Sequence, residues 1–139
     1  MKRLLLSFAF LIFFTVSSFA THIVGGEISM EYLSGNTYRL TLNMYRDMSG
    51  TGLDASQAVR VFKLSDHSMV EEFILPRISF SQVEYTNPVC ATAVGAVQTQ
   101  IHIYQADITL DPNIYNDNDG YYISNQRCCR NGTVDNIID

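Results

Sequence analysis

The chain of 139 residues has no tryptophan, three cysteines, three prolines and only 9 lysines and arginines against 14 aspartates and glutamates. Each shortage excludes something. A formal net charge of -5 provides no basic footprint for a phosphate backbone, so nucleic acid is not an expected partner. Histidine is scarce too: His22, His67 and His102 stand far apart, without the close spacing that zinc ligands need. No Gly-x-Ser-x-Gly elbow is present, and Glu71-Glu72 would point to opposite sides of a strand, so neither a serine nucleophile nor a cooperating carboxylate pair is in view. No catalytic residue, metal site or cofactor is expected.

The cysteine count is odd, which limits the chain to one internal disulfide. Cys128 and Cys129 are adjacent and would face opposite ways in an extended strand, so they are poorly placed to bond each other. The expected bridge joins Cys90 to one of them, with the choice left open by the residues. Closing a loop of nearly forty residues in this way would stabilise by roughly 3–4 kcal/mol.

Long apolar runs are also few. One extends from Leu4 to Val16, preceded by Lys2-Arg3 and followed by Ser17-Ser18-Phe19-Ala20. A membrane-spanning helix needs about twenty apolar residues, and this run is shorter. A basic start, a short apolar stretch and a small-residue exit are the parts of a secretory signal peptide. Residues 1–20 are therefore read as the signal, cleaved between Ala20 and Thr21, and 21–139 as the mature module, with no transmembrane helix left after removal. The expected location is extracellular or on the outer cell surface, where cysteines can oxidise.

The mature residues read as strands. Tyr38, Leu40, Leu42 and Met44 alternate with Thr37, Arg39, Thr41 and Asn43, the pattern of a half-buried strand. Ile28, Met30 and Tyr32 share a face with the same period, and Ser34-Gly35-Asn36 supplies a hairpin turn. Gly25-Gly26 suggests a bulge at the entry. A loop over 49–56 leads to a second pair, 58–64 and 69–75, turned by Ser65-Asp66-His67-Ser68 and closed by Pro76. The stretch 77–96 looks irregular. Residues 97–110 read as an edge-like strand or two short ones, with Ile101 and Ile103 on one side and His102 and Tyr104, the former as a surface residue, on the other. Asn116-Asp117-Asn118-Asp119-Gly120 fails the calcium-loop spacing at both ends and reads as a turn. Strand character resumes at Tyr121-Tyr122-Ile123-Ser124. The fold expected is all-β, an Ig-like sandwich of about six to eight short antiparallel strands. The ending Ile137-Ile138-Asp139 is apolar and reads as the N-terminal part of a longer protein.

Two stretches carry a family resemblance. Thr21-His22-Ile23-Val24-Gly25-Gly26-Glu27-Ile28, with Gly35-Asn36-Thr37-Tyr38-Arg39-Leu40-Thr41-Leu42 and Tyr45-Arg46-Asp47, resembles the N-terminal module of large secreted or cell-surface proteins of Bacteroidota. Tyr121-Tyr122-Ile123, Arg127-Cys128-Cys129-Arg130-Asn131-Gly132-Thr133 and Asn136-Ile137 resemble the same module further along. Met48 stands where such modules commonly carry a cysteine. The resemblance implies PKD-like or other Ig-like domains downstream, a gliding motility-associated C-terminal domain and type IX secretion. It implies a non-catalytic structural or adhesion module, with other domains of the parent protein or a cell-surface protein or glycan as partners. The alternative is a carbohydrate-binding or substrate-presenting accessory module of a secreted hydrolase, for which Tyr32, Tyr45, Tyr104, Tyr121 and Tyr122 are the candidate stacking aromatics.

The signal reading makes a direct prediction. Mass spectrometry of the exported protein should find Thr21 as its first residue, and retention of Met1 would refute export through this segment.

Overall fold

The computed structural model describes residues 23–87, 89 and 97–127. Ala20, Thr21, Cys90, Cys128 and Cys129 lie outside the described residues, and with them the cleavage site and the expected disulfide. The described chain is all-β, as expected. Six strands follow in order: β1 (Ile23–Ser34), β2 (Thr37–Asp47), β3 (Ser56–Lys63), β4 (Met69–Gln82), β5 (Thr99–Thr109) and β6 (Tyr121–Ser124). They pair antiparallel throughout, in one sheet of order β1-β2-β5-β4-β3-β6. No described helix is long and apolar enough to cross a membrane.

The hairpin of β1 and β2 forms where the alternation places it. Gly35 turns it with φ 54°, a left-handed conformation that costs a residue without Cβ little. A register shift between Ile23 and Gly25 marks the bulge at the glycine pair. On β2, Leu40, Leu42 and Met44 are buried while Arg39, Thr41, Asn43 and Tyr45 between them are only partly covered. The outer face is laced across strands: Arg39 makes a two-pronged ion pair with Asp107, Gln105 donates to Thr41, and Asn43 donates to Glu27.

Residues 69–75 are a strand, but Pro76 does not close it. The ring sits opposite Ser56 at the end of the β3 ladder, where its missing N–H can be tolerated. Directly beyond it, the Arg77 N–H donates to Ala55 O at 2.8 Å, and the strand changes neighbour. Residues 69–76 pair with β3, and Arg77–Gln82 pair with β5 across a register shift between Arg77 and Ser79. Residues 77–82, foreseen as the start of an irregular stretch, are therefore strand. This switch lets the sheet fold over on itself. Leu40, Leu42, Met44, Tyr104 and Ile108 from one half pack with Val59, Leu75 and the loop residue Leu53 from the other in a single core.

β5 is neither an edge nor two pieces. It is one strand lying between β2 and β4. Its inward face is also the reverse of a simple hydropathy reading. His102 and Tyr104 are buried, because they sit opposite Met44 and Leu42 on the core side of β2, whereas Ile101 and Ile103 sit opposite Tyr45 and Asn43 on the outer side. His102 is thus not a surface residue. Its ring lies between those of Phe80 and Tyr104, with centroids at 5.5 and 6.5 Å and nearly parallel planes. Nε2 approaches Gln100 Oε1 at 2.7 Å, and Nδ1 approaches Arg77 NH1 at 3.3 Å. Arg77 can only donate, so Nδ1 accepts and Nε2–H donates, which is a neutral imidazole. Gln100 Oε1 also accepts from Arg46 Nε at 3.0 Å. Burial first, then the charges of Arg77 and Arg46, hold the imidazole pKa below its ordinary 6.5.

A depressed pKa in the folded state means that the unfolded chain takes up the proton first. Stability should be full above the unfolded value of 6.5 and fall as pH drops through the window between it and the lower folded value. The slope contributed by this single group can reach about 1.4 kcal/mol per pH unit. Urea unfolding from pH 7.5 to 4.5 should show this decline, and His102→Gln should flatten it.

A tyrosine-lined cleft as candidate functional site

The two ends of the sheet, β1 and β6, come to face one cleft. It has a volume of about 410 Å³ and is lined chiefly by apolar groups and tyrosine rings. Met30 comes from β1, Tyr38 from β2, Val61 from β3, and Tyr121 and Ile123 from β6. The hairpin turn adds Asn36, and the segment leaving β5 adds Leu110, Pro112 and Tyr115. This volume falls near the lower end of the range for small-ligand pockets.

The loop between β5 and β6 is built to hold its two tyrosines. Leu110 N–H donates to Asn36 O at 2.9 Å, tying the end of β5 to the hairpin turn. The Asp111 carbonyl accepts from the N–H groups of Ile114 and Tyr115, and its carboxylate accepts from Asn113. Asp117 accepts from the Ser65 hydroxyl at 2.7 Å and from Asp119 N–H at 3.0 Å, while Gly120 takes φ 89°. The Asn-Asp-Gly run is therefore the turn its composition suggested. Among the described residues no three His, Cys, Asp or Glu side chains converge to hold a metal ion.

Both loop-side tyrosines use their hydroxyls within the protein. Tyr115 donates to Glu71 Oε2 at 2.8 Å. Burial, followed by the hydrogen bond and the charge of Glu71, pushes the Tyr115 phenol far above its usual value, so it remains a proton donor at any ordinary pH. The Tyr121 hydroxyl accepts from Asp117 N–H at 2.8 Å and donates to Ile114 O at 3.3 Å. The two rings meet edge to face, with centroids 5.0 Å apart. What the cleft offers is chiefly ring and aliphatic surface, with Asn36 among its lining residues.

The five candidate stacking tyrosines do not form one platform. Tyr121 lines the cleft. Tyr32 is 62% exposed beside it, edge to face with Tyr38 at 5.6 Å. Tyr45 lies on the outer face of β2, opposite Ile101. Tyr122 points away from Tyr121, stacked on Phe62 at 5.2 Å with the His67 ring at its edge. His67 itself occupies the turn between β3 and β4 with φ 59°. Tyr104 must be withdrawn as a stacking residue: it is fully buried, and its hydroxyl donates to Asp54 O at 2.9 Å inside the fold. Tyr38 and Tyr115 belong to the cleft and were missed. The inward alternation of Tyr38 made it look like core, and Tyr115 sits in a stretch that is otherwise polar.

No protein-family model, curated protein or solved structure matches this chain. The described residues define a class, an all-β domain with an apolar cleft at the meeting of its two sheet ends.

The Tyr115–Glu71 contact should be structural. Tyr115→Phe keeps the ring and removes the donor to a carboxylate, and should lower unfolding free energy by about 1.5 kcal/mol in urea titrations. A cost near zero would mean that Glu71 is equally well served by water.

Proposed function

We propose that this chain is a non-catalytic module of an exported envelope protein, serving adhesion or scaffolding at the cell surface. The observation that carries the reading is the cleft itself: tyrosine rings and aliphatic groups line it, and hydrogen bonds within the protein engage the hydroxyls of Tyr115 and Tyr121, leaving a surface suited to contact. The signal-like start and the resemblance to N-terminal modules of Bacteroidota surface proteins support the location. By that resemblance the parent protein continues into Ig-like domains and leaves the cell by type IX secretion, and the module contacts neighbouring domains or a surface protein or glycan.

A carbohydrate-binding accessory module is the second reading. It is favoured by the clustering of Tyr38, Tyr115 and Tyr121 with the Asn36 amide in one cleft. Tyrosine faces can stack on sugar rings, and an amide can meet hydroxyls.

Three measurements test these readings. Protease shaving of intact cells should remove the protein if it is surface-held. A glycan array with the mature protein should show binding that Tyr121→Ala abolishes if the second reading is right, whereas under the first any glycan contact should survive that substitution. Neither predicts turnover, so hydrolysis of peptides or glycans by the purified protein would overturn both.

A further inference from the structure

The cleft lies at the only place where the sheet runs out of partners among the described strands. β1 and β6 are the terminal strands of the order β1-β2-β5-β4-β3-β6, and no pairing joins them. Yet side chains from both, Met30 and Ile123, line the same cleft. Among the described residues, each strand therefore has backbone N–H and C=O groups without a ladder partner on the side facing the seam. An unpaired edge over an apolar cleft is the geometry that accepts an added strand, where main-chain hydrogen bonds supply affinity and alternate side chains enter the pocket.

The charges around the seam indicate which strand. Glu27 and Glu31 lie on β1, and the loop that supplies Pro112 and Tyr115 carries Asp111, Asp117 and Asp119 with no lysine or arginine. The bases nearby are matched by acids: Arg39 on β2 is paired with Asp107 and lies opposite Glu31, Arg60 on β3 is paired with Glu72, and Lys63, opposite Tyr121, lies near Asp66 and Asp117. The entire chain is acidic, with a formal net charge of -5. A segment with acidic outward side chains would be repelled here, and so would a second copy of β1, which brings its own Glu27 and Glu31. A segment with basic outward side chains would be attracted.

We propose that the seam between β1 and β6 receives an extended segment of another protein as an added strand, with apolar side chains entering the cleft and basic ones facing outward. This rests on the binding-module reading and names the partner of the same cleft. The test uses the mature protein, labelled for NMR, and a short capped peptide of alternating valine and lysine. Shift changes and slowed amide exchange should concentrate at β1 and at Tyr121–Ser124. The matching valine–glutamate peptide should bind about ten-fold more weakly or worse, a difference of about 1.4 kcal/mol. Met30→Lys should weaken binding of the valine–lysine peptide to a similar degree. Met30 is 48% exposed, so this variant should fold, and its unchanged urea midpoint would confirm that.

Equal binding of both peptides, or perturbation mapped to another edge, overturns the proposal. So does slow exchange of the β1 and β6 edge amides before peptide is added, because the seam would then be filled already. Sedimentation as a dimer would assign that filling to a second copy. The two readings also fail separately. Peptide binding by a protein that shaving shows to be intracellular sinks the surface role alone, and a surface-exposed protein with no peptide binding sinks the added strand alone.

Discussion

The change of partner in β4 at Pro76 and Arg77 is the constraint on which the remaining architecture depends. A strand that stopped at Pro76 would leave β4, β3 and the four-residue β6 as a separate small sheet, with no pairing to the half that supplies most of the core. By continuing to Gln82 along β5, β4 connects that piece to β2 and β1 and turns two half-sheets toward each other. Arg77 secures the crossing. Its N–H binds Ala55 O, its guanidinium binds Leu53 O and the His102 ring, and its cationic carbon lies 5.2 Å from the centre of the Phe80 ring.

The two ends of the resulting core are treated differently. At the end of β2 near Met44 and Arg46, the interior is closed by a polar network in which Gln100 receives His102 and Arg46, and the aromatic rings of Phe80, His102 and Tyr104 stack in sequence. At the other end, near Tyr38 and the Gly35 turn, the interior is left open as the cleft. The wall there is an ordered loop whose polar groups bind one another. An opening that is pre-formed in this way loses little conformational entropy when something enters it.

The contact role proposed above draws on that contrast. The one phenol in the cleft with a shifted pKa is displaced away from reactivity, and its carboxylate partner serves as an acceptor. The buried histidine is kept neutral in the sealed end, among arginines, where it faces no opening of the cleft.

The hairpin of β1 and β2, the turn at Ser65–Ser68, the turn before Gly120 and the all-β class were legible in the sequence, because each follows from local rules: period-two alternation, or residues that tolerate left-handed backbone. The extension of β4 was not, since whether a proline ends a strand depends on which neighbour lies on its N–H side. The inward face of β5 was not either, for Ile101 and Ile103 are more apolar than His102 and only the register against β2 decides which pair goes inside. The cleft combines residues as distant along the chain as Met30 and Ile123. Its tyrosines were individually visible, but their division among cleft, core and outer face was set by strand pairing. Local alternation by itself determined that this chain makes strands; the order in which those strands pair, a product of long-range packing, decided where the tyrosine-lined cleft lies.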